Sequence, residues 1–248
     1  MHELVTDRLS PALPKDVTNP CVNCEVRSRA VCAVLSDEEL INIARITHSE
    51  HLKAGEPLFF EGDVSGDCFI VQSGALKLYK LMQDGRRQIT VFLFKGDFLG
   101  IQAGAEYGYT AEALEPAEAC AIPGDKMKIL VADFPKLANR LLNLASMELA
   151  AAQDQMLLLG RKTAQERIAT FLLWLSDRAR DRGDAANPVR VSMSRSDMGD
   201  YLGLTVETVS RTITKLKTSG LISLREGNRI ELTDRDMLEA LAAGEGGQ

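Results

Sequence analysis

The sequence predicts an α+β fold with three parts in order along the chain: a small antiparallel β barrel or sandwich, a long helix, and a helix-turn-helix with a hairpin wing. Three observations support this prediction. Short β-rich runs alternate with glycines between about Lys53 and Pro123, a texture typical of antiparallel β structure. An apolar repeat of three and four residues follows Pro135. Near the C-terminus, two helical patterns flank Gly203.

Composition excludes several classes of protein. Of the 248 residues, 45% are apolar and 26% are charged, which is ordinary globular composition with material for a sizeable core. The longest runs without a charged residue are nine residues, Cys68–Leu76 and Ile168–Ser176, whereas a membrane-spanning helix needs about 20. The N-terminus lacks the basic start and apolar core of a secretory signal. We therefore expect a cytoplasmic protein.

The net charge of −6 is unevenly spread. From Gly160 to the C-terminus there are 14 basic and 13 acidic residues, a balance of +1, and the remainder of the chain carries −7. Nucleic-acid binding by the C-terminal part therefore requires its basic side chains to cluster on one face.

The N-terminal part predicts a lead-in, a short helix and the barrel. Residues up to about Pro20 carry three prolines and no apolar periodicity, so we interpret them as flexible. Ser36 and Glu39 form the capping-box pattern of a short helix that contains Leu40 and Ile43. The predicted strands are Leu58–Phe60, Cys68–Val71, Leu76–Leu81, Gln88–Phe94 and Glu118–Ile122, with a hairpin turn at Gln83–Gly85.

The long apolar repeat predicts a helix from Pro135 to about Lys162 that pairs with another helix. Its positions alternate by three and four residues and carry no charge, which is the geometry of an a/d seam. A neighbouring row is also apolar, at Leu137, Leu141 and Leu144, so the helix can pack on its own barrel and still offer the seam. A single buried helix without a partner is the alternative. The predicted seam consists of Leu142, Ala145, Leu149, Ala152, Met156 and Leu159.

The C-terminal part predicts an amphipathic helix over Ala164–Asp177, a polar linker over Arg178–Pro188 and then the helix-turn-helix. Ser194 and Thr205 cap its two helices, and the second helix enters the major groove with its N-terminal end first. A hairpin wing follows at Leu221–Leu224 and Ile230–Leu232. The second helix is predicted to bury Val206, Val209, Ile213 and Leu216 and to expose Glu207, Ser210, Arg211, Thr214 and Lys215.

The exposed side chains suit base reading. An Arg donates two hydrogen bonds to guanine, a Glu accepts one from cytosine or orients the Arg, and a Ser can meet thymine. The spacing of Glu207 and Arg211 is equally that of a surface ion pair, but the surrounding helix-turn-helix favours base reading. We predict base contacts for Glu207, Ser210 and Arg211, and phosphate contacts for Arg195, Thr205, Lys215 and Lys217.

Cysteines predict a metal site. Cys21, Cys24 and Cys32 lie within twelve residues, in a loop that is too polar and too closely flanked by proline to be core. In a reducing cytosol, such a cluster indicates a metal site rather than disulfides. Cys68 or Cys120 can supply a fourth ligand from the barrel. Four thiolates suit tetrahedral zinc or a [4Fe–4S] cluster; zinc sites favour two C-x2-C pairs, and only one is present.

The run SRSDMGDYLGLTVETVSR over Ser194–Arg211 closely resembles the recognition motif of the CRP/FNR superfamily of transcription regulators. Glu207, Ser210 and Arg211 match the Glu-x-x-Ser-Arg arrangement of the FNR branch, whereas the cyclic-AMP receptor branch would have Arg at Val206 and Gly at Ser210. The resemblance covers nearly the whole chain. It implies a β-roll (cupin-like jelly roll) sensory domain, a long dimerisation helix and a winged helix-turn-helix, which we place at 1–34 (cysteine segment), 35–134, 135–162 and 163–248.

The resemblance implies partners and a cofactor. A homodimer would bind a palindromic TTGAT…ATCAA-type DNA site and contact RNA polymerase, for which the loop around Gly85 is a candidate surface. The family's fourth cluster ligand lies in a Cys-x-Ile-Pro context, as Cys120 does, so the resemblance favours a [4Fe–4S] cluster on Cys21, Cys24, Cys32 and Cys120. Cys68 is then a small buried strand residue. The x7 spacing between the second and third cysteines departs from the best-known x5 and is similar to that of alphaproteobacterial FnrL/FnrN-like members.

Nucleotide binding and catalysis are not expected. Cyclic-nucleotide pockets of the superfamily use a Glu for the ribose and an Arg for the phosphate, and here Ile101 or Gln102 stands near the Glu position and Tyr109 at the Arg position. Without a cation for the phosphate, we predict no cyclic nucleotide, which also disfavours a regulatory subunit built on a nucleotide-binding roll. No Ser–His–Asp order, Walker loop, paired-carboxylate cleft or H-E-x-x-H motif is present, so we predict no catalytic residue and no enzyme.

Our hypothesis for regulation is a redox gate controlling anaerobic or microaerobic gene expression. Since Cys120 immediately precedes the predicted dimer helix, an intact cluster would tie the N-terminal loop to the barrel and hold the helix in register. Oxygen would convert or strip the cluster and shift the population to monomer. Because a dimer reads two half-sites and a monomer one, most of the specific affinity would be lost. The alternative is a regulator of the same class whose cysteines bind zinc or act as a thiol switch.

Overall fold

The computed structural model describes residues 20–100 and 105–245, so the lead-in predicted before Pro20 lies outside the described residues. The chain divides into two compact units, Met1–Lys80 with Val91–Glu148, and Leu81–Thr90 with Leu149–Gln248. None of the described helices combines the length and apolarity that crossing a bilayer demands. The α+β fold class and the order of its parts are confirmed.

The first unit contains the β-roll except for the tip of the β4–β5 hairpin, whose residues 81–90 belong to the second unit. The roll is made of two four-stranded antiparallel sheets in the orders β1-β8-β3-β6 and β2-β7-β4-β5. Strands β1, β6 and β7 were not predicted. They are short, and β1 is largely polar, so they lack the apolar alternation that reveals a strand. The strands are β1 (His48–Leu52), β2 (Pro57–Phe59), β3 (Asp67–Ser73), β4 (Ala75–Leu81), β5 (Arg87–Phe94), β6 (Phe98–Leu99), β7 (Thr110–Ala113) and β8 (Ala117–Pro123).

Aromatic side chains fill the inside of the roll. The Phe59 ring stacks on Tyr107 with 3.7 Å between the ring centroids, and Phe69 and Tyr109 lie at 5.8 and 5.7 Å from it. The Tyr107 hydroxyl donates to the backbone carbonyl of Asp67 at 2.8 Å. The roll therefore has a packed apolar interior that includes these rings.

The cysteine segment is part of a second core, which corrects our prediction that this loop is too polar to be buried. Val26, Ala30 and Val31 are at most 3% exposed, and Val31–Val34 form a 3₁₀ helix. The polar residues of the segment face outward and its small apolar residues face inward. The mean polarity of the loop, on which the prediction rested, does not show this division. The helix α1 (Asp37–Ala44) follows, with the predicted capping box of Ser36 and Glu39.

Two helices follow the roll. Helix α2 (Gly124–Asp133) lies between β8 and the long helix α3 (Pro135–Arg161). The expectation that Cys120 immediately precedes the long helix is therefore wrong, because the ten residues of α2 separate them. The α2 pattern escaped prediction since it begins directly at Gly124, without a polar N-cap side chain.

The second unit contains the winged helix-turn-helix. Helix α4 (Ala164–Asp181) buries Ile168, Phe171, Leu172 and Leu175 as predicted, but it extends four residues into the predicted linker. Val206 is 49% exposed, against our prediction, because it occupies the first turn of its helix. The remaining elements are β9 (Val189–Arg190), α5 (Arg195–Leu202), α6 (Val206–Thr218), β10 (Ile222–Arg225), β11 (Arg229–Leu232) and α7 (Arg235–Ala243).

Candidate metal centre and nucleic-acid interface

Four cysteine thiols interact electrostatically with one another. Cys21, Cys24 and Cys32 come from the N-terminal segment and Cys120 from β8, and all four pack in or against the second core. Burial, assisted by the neighbouring thiols, raises the pKa of Cys32 to about 11 and that of Cys120 to about 12. Burial and Cys24 also raise the pKa of Cys21. The structure therefore brings the four predicted ligands into one neighbourhood.

Cys68 belongs to the same core as these thiols but does not interact electrostatically with them. It is 5% exposed on β3, and its pKa is raised to about 11 by burial and by Asp67, without a contribution from the other thiols. In the β3–β8 ladder Cys68 lies opposite Ile122, whereas Cys120 lies opposite Ile70. The two cysteines are therefore diagonal neighbours on one face of the strand pair, and Cys120 as the fourth ligand stays a prediction, favoured by its interaction with the other thiols.

Two polar side chains lie next to the thiols. The Thr47 hydroxyl is hydrogen-bonded to Cys21 and Cys120 and lowers the pKa of both. Thr47 reaches Cys120 because β1, which starts one residue later, pairs with β8 in a register that puts Ser49 opposite Cys120. Thr47 was not predicted as a neighbour of Cys120, because its position depends on β1, a strand without apolar alternation.

Arg27 is the nearby cation. It lowers the pKa of Cys21 and Cys32, and it is held by the Leu35 carbonyl at 3.2 Å and the Asp37 carboxylate at 2.7 Å. A fixed positive charge beside several thiols favours their ionised form. Arg27 is therefore placed to offset negative charge on the thiols.

The thiols are not arranged for a single metal ion. All five cysteines lie within the described residues and are thiols rather than disulfides. Within residues 20–100 and 105–245, no group of three or more His, Cys, Asp or Glu side chains is disposed so that it could hold one ion. A mononuclear zinc site needs sulfurs at about 2.3 Å from one point, whereas a four-iron cluster takes one thiolate on each iron and so leaves them farther apart.

The cysteine segment is packed on the N-terminal half of the long helix. Leu137 is fully buried in the core that contains the thiols, and Leu141 and Leu144 pack against it. The Arg140 guanidinium donates to the Arg29 carbonyl at 3.0 Å. Lys136 and Glu39 form an ion pair at 2.5 Å. A change in the cysteine segment would therefore be felt first by residues 136–144 of α3.

Five of the six predicted seam residues of α3 are exposed in the single chain, and the sixth, Leu159, is half-buried. Leu142 is 66% exposed, Leu149 61% and Met156 68%, and Ala145 and Ala152 are exposed as well. Isolated exposed leucines are common, but a regular row of large apolar side chains marks an interaction surface. The alternative of one buried helix does not fit these exposures.

The second helix of the helix-turn-helix presents the predicted polar face. Val209, Ile213 and Leu216 are buried, whereas the predicted base-reading and phosphate-contacting side chains of α6 point to solvent. Arg211 and Glu207 form an ion pair at 2.5 Å, with side chains 80% and 69% exposed. Such a pair is weak in water and leaves the remaining Arg donors available. The exposed residues are Glu207, Ser210, Arg211, Lys215 and Lys217.

Two predicted phosphate contacts have structural roles as well. The Thr205 hydroxyl accepts the backbone N–H of Thr208 at 3.1 Å as the N-cap of α6. Arg195 is partly buried, burial lowers its pKa, and its guanidinium lies 3.4 Å from the Met198 sulfur.

The hairpin between β4 and β5 holds the first helix of the helix-turn-helix. Arg87 forms ion pairs with Asp197 at 3.0 Å and Asp200 at 2.8 Å, and Gln88 donates to the Asp200 carbonyl at 2.7 Å. Asp197 also closes the capping box with Ser194. These contacts hold α5 in place. They were not predicted, because local sequence patterns give no information on contacts between residues more than 100 positions apart.

Comparisons with known proteins agree with this arrangement. Residues 166–241 match the Crp-like helix-turn-helix domain, and residues 49–134 match the cyclic nucleotide-binding domain. The nitrogen fixation regulation protein FixK of Bradyrhizobium diazoefficiens is 40% identical over 223 residues, which are 90% of this chain and 94% of FixK. The transcriptional activator protein anr of Pseudomonas aeruginosa is 40% identical over 91% of this chain and 93% of its own length.

The chain belongs to the CRP/FNR superfamily, in its FNR branch. The fumarate and nitrate reduction regulatory protein of Salmonella typhimurium is 34% identical over 90% of both chains. The solved structure of FixK2 from Bradyrhizobium japonicum has a TM-score of 0.74 and 36% identity, and it covers 79% of this chain and 97% of its own. This CRP/FNR protein is therefore a DNA-binding transcription regulator and not an enzyme, as predicted, and the family supports dimeric action.

Proposed function

We propose that this CRP/FNR regulator is a dimeric oxygen sensor that binds a palindromic TTGAT…ATCAA-type site while a [4Fe–4S] cluster is intact, and so controls anaerobic or microaerobic gene expression. The observation that carries this proposal is the convergence of four cysteines on one core: Cys21, Cys24 and Cys120 pack against the core that contains Cys32, and the three N-terminal thiols raise the pKa of Cys120.

The donor set fits the cluster. Iron–sulfur clusters are held by cysteine thiolates, and a positively charged iron core offsets the cost of ionising Cys21, Cys32 and Cys120, whose pKa burial has raised. Arg27 supplies a further positive charge beside Cys21 and Cys32. When bound, the cluster supplies an oxygen-sensitive redox centre. Zinc sites favour two C-x2-C pairs, and only one is present. The raised pKa of Cys21, Cys32 and Cys120 disfavours a thiol switch, which needs a thiolate.

The route to the dimer helix runs through packing. Three of the four thiols lie on a segment that contacts α3 through Leu137, Leu141 and Leu144 and through the bond from Arg140 to Arg29. Fixing Cys21, Cys24 and Cys32 to Cys120 would hold this segment against α3. The seam residues lie farther along the same helix. The packing of the cysteine segment on the N-terminal half of α3 would therefore transmit the change, instead of a direct connection between Cys120 and the start of the helix.

Helix α6 would determine which DNA sequence the protein prefers. We assign base contacts to Glu207, Ser210 and Arg211 and phosphate contacts to Arg195, Thr205, Lys215 and Lys217. Exposure of the α6 side chains at the helix N-terminal half and their donor and acceptor chemistry support this assignment. The loop around Gly85 stays our candidate for contact with RNA polymerase.

We further propose that the roll binds no cyclic nucleotide. The rings of Phe59, Tyr107 and Tyr109 pack against one another inside it. The buried Lys77 is paired with Glu112 at 2.9 Å, so its charge is already neutralised. Ile101 and Gln102, which stand near the ribose-binding position, lie outside the described residues.

Anaerobic purification tests the proposed function. We expect a brown protein with about four irons and four sulfides per chain, which binds the palindromic duplex without air and loses specific binding after aeration. A scrambled duplex of equal length and charge controls for non-specific binding. A colourless, zinc-loaded protein whose DNA binding is indifferent to air would contradict the proposal and favour the zinc alternative.

Base reading is tested separately by Arg211→Ala and Glu207→Ala. Each variant should lose about tenfold or more in discrimination between the palindrome and a duplex with one changed base pair per half-site, because a base contact contributes roughly 1–3 kcal/mol. Dimerisation, measured by sedimentation, should be unchanged. The matched control is Arg225→Ala, which removes a wing arginine paired with Glu231. Undiminished base discrimination in both variants would refute the assignment.

A further inference from the structure

The strongest unassigned feature is a single guanidinium between the ends of two helices. Arg167, on the first turn of α4, donates from Nη2 to the Leu159 carbonyl at 2.9 Å and from Nε to the Lys162 carbonyl at 2.9 Å. From Nη1 it donates to the Leu202 carbonyl at 2.8 Å and to the Gly203 carbonyl at 3.5 Å. The first pair of carbonyls ends the dimer helix α3, and the second pair ends α5 and forms the turn of the helix-turn-helix.

The chemistry of the helix ends explains why an arginine suits this place. The last carbonyls of a helix lack partners within the helix and carry its negative dipole end. Here two helix C-termini converge on one planar cation that is always charged and donates from all three nitrogens. A lysine would offer one nitrogen and could not reach both ends. The guanidinium is partly buried, so water competes less for these bonds.

Two neighbours complete the connection. Gln155 on α3 donates from its amide nitrogen to the Tyr201 carbonyl at 2.8 Å. Three successive carbonyls, from Tyr201 to Gly203, therefore accept side-chain donors from α3 and α4. Gly203 has a φ of +63°, and a Cβ there would lie 3.2 Å from Leu159 and 3.3 Å from the Arg167 nitrogen. The glycine thus permits the close approach as well as the left-handed turn.

We infer that Arg167, assisted by Gln155, is a positioning residue that fixes the angle between the helix-turn-helix and the C-terminal half of α3. This angle would determine which spacing of the two half-sites the dimer prefers. This role requires no contact between Arg167 and a base or a phosphate. Because the seam residues Leu149 to Leu159 pair the two subunits in the proposed dimer, the angle held by Arg167 sets where the two reading helices lie. One added base pair rotates one half-site relative to the other by about 34° about the DNA axis. A helix-turn-helix held at a fixed angle to α3 could not follow this rotation.

The inference rests on the proposed palindromic site, and its test is a spacing assay. Anaerobic wild-type protein and Arg167→Met are titrated with the palindrome and with duplexes that have one base pair more or fewer between the half-sites. Wild type should prefer the native spacing, and Arg167→Met should reduce that ratio of dissociation constants by about fivefold or more. The penalty for a changed base within a half-site should stay at its wild-type value, since α6 keeps its own side chains.

The controls separate positioning from stability. Arg180→Met removes another arginine of α4, whose bond is to Asp177 on the same helix, and should leave the spacing ratio unchanged. If Arg167→Met fails to fold, the same assay is done with Gln155→Leu, which removes the bond to the Tyr201 carbonyl. A smaller reduction in the spacing ratio is then expected. An unaltered spacing ratio in a folded variant, even with weaker overall affinity, overturns the inference. Absence of any preference for the palindrome in wild type would instead overturn the proposed function.

Discussion

Cys120→Ser is expected to abolish stable iron loading and the difference in DNA binding between anaerobic and aerated protein, whereas Cys68→Ser should preserve both. The two cysteines lie two ladder positions apart along the β3–β8 pair, and both are raised in pKa by burial. Cys120 alone interacts with Cys21, Cys24 and Cys32. Serine is nearly the same size but is a poor ligand for iron, so the change tests ligation with little disturbance of packing.

The measurement is iron and sulfide content per chain, followed by titration of the palindromic duplex before and after exposure to air. We expect about four irons per chain in the wild type and in Cys68→Ser, and a labile or absent cluster in Cys120→Ser. Thermal unfolding of all three proteins controls for stability, because a hydroxyl in the apolar surroundings of Cys68 costs about 1–3 kcal/mol. Full iron loading in Cys120→Ser, or its loss in Cys68→Ser, would show that the fourth ligand is wrongly assigned.

Local patterns predicted the elements that carry the function. The capping residues Ser36, Ser194 and Thr205 and the turn at Gly203 all appear where expected, because capping and left-handed turns depend on a few adjacent residues. The exposed face of α6 was predicted for the same reason, since a helical period determines which side chains share a side. Val206 was wrongly predicted to be buried, because it lies in the first turn of α6, which the rest of the domain does not cover.

Tertiary contacts were beyond the reach of those patterns. Thr47 meets Cys120 through the β1–β8 pairing, Arg87 reaches Asp197 and Asp200, and Arg167 spans two helix ends. Each of these depends on where distant parts of the chain meet. The burial of the cysteine segment was missed for a related reason: Val26, Ala30 and Val31 are few and scattered, and only the surface they pack against makes them core.

Leu149→Glu should convert the anaerobic protein from dimer to monomer and weaken its binding to the palindrome by about 100-fold or more, to the level of a single half-site. Leu149 is at the centre of the proposed seam and is 61% exposed in the single chain. In a symmetric pair the introduced carboxylates would be placed close together in an apolar interface, where neither desolvation nor repulsion is compensated. The fold of each chain should be unaffected, because this side chain packs little against its own subunit.

Met147→Glu provides the matched control. Met147 is 65% exposed on the same helix, but it lies two residues from the seam positions Ala145 and Leu149, which places it on the opposite side. It should remain dimeric and bind the palindrome like the wild type. Sedimentation and titration of full and half-site duplexes measure both effects. If both variants become monomeric, α3 pairs through a broader face than the proposed seam; if neither does, the dimer forms elsewhere, and the packing of the cysteine segment on α3 would have no pairing surface to act on.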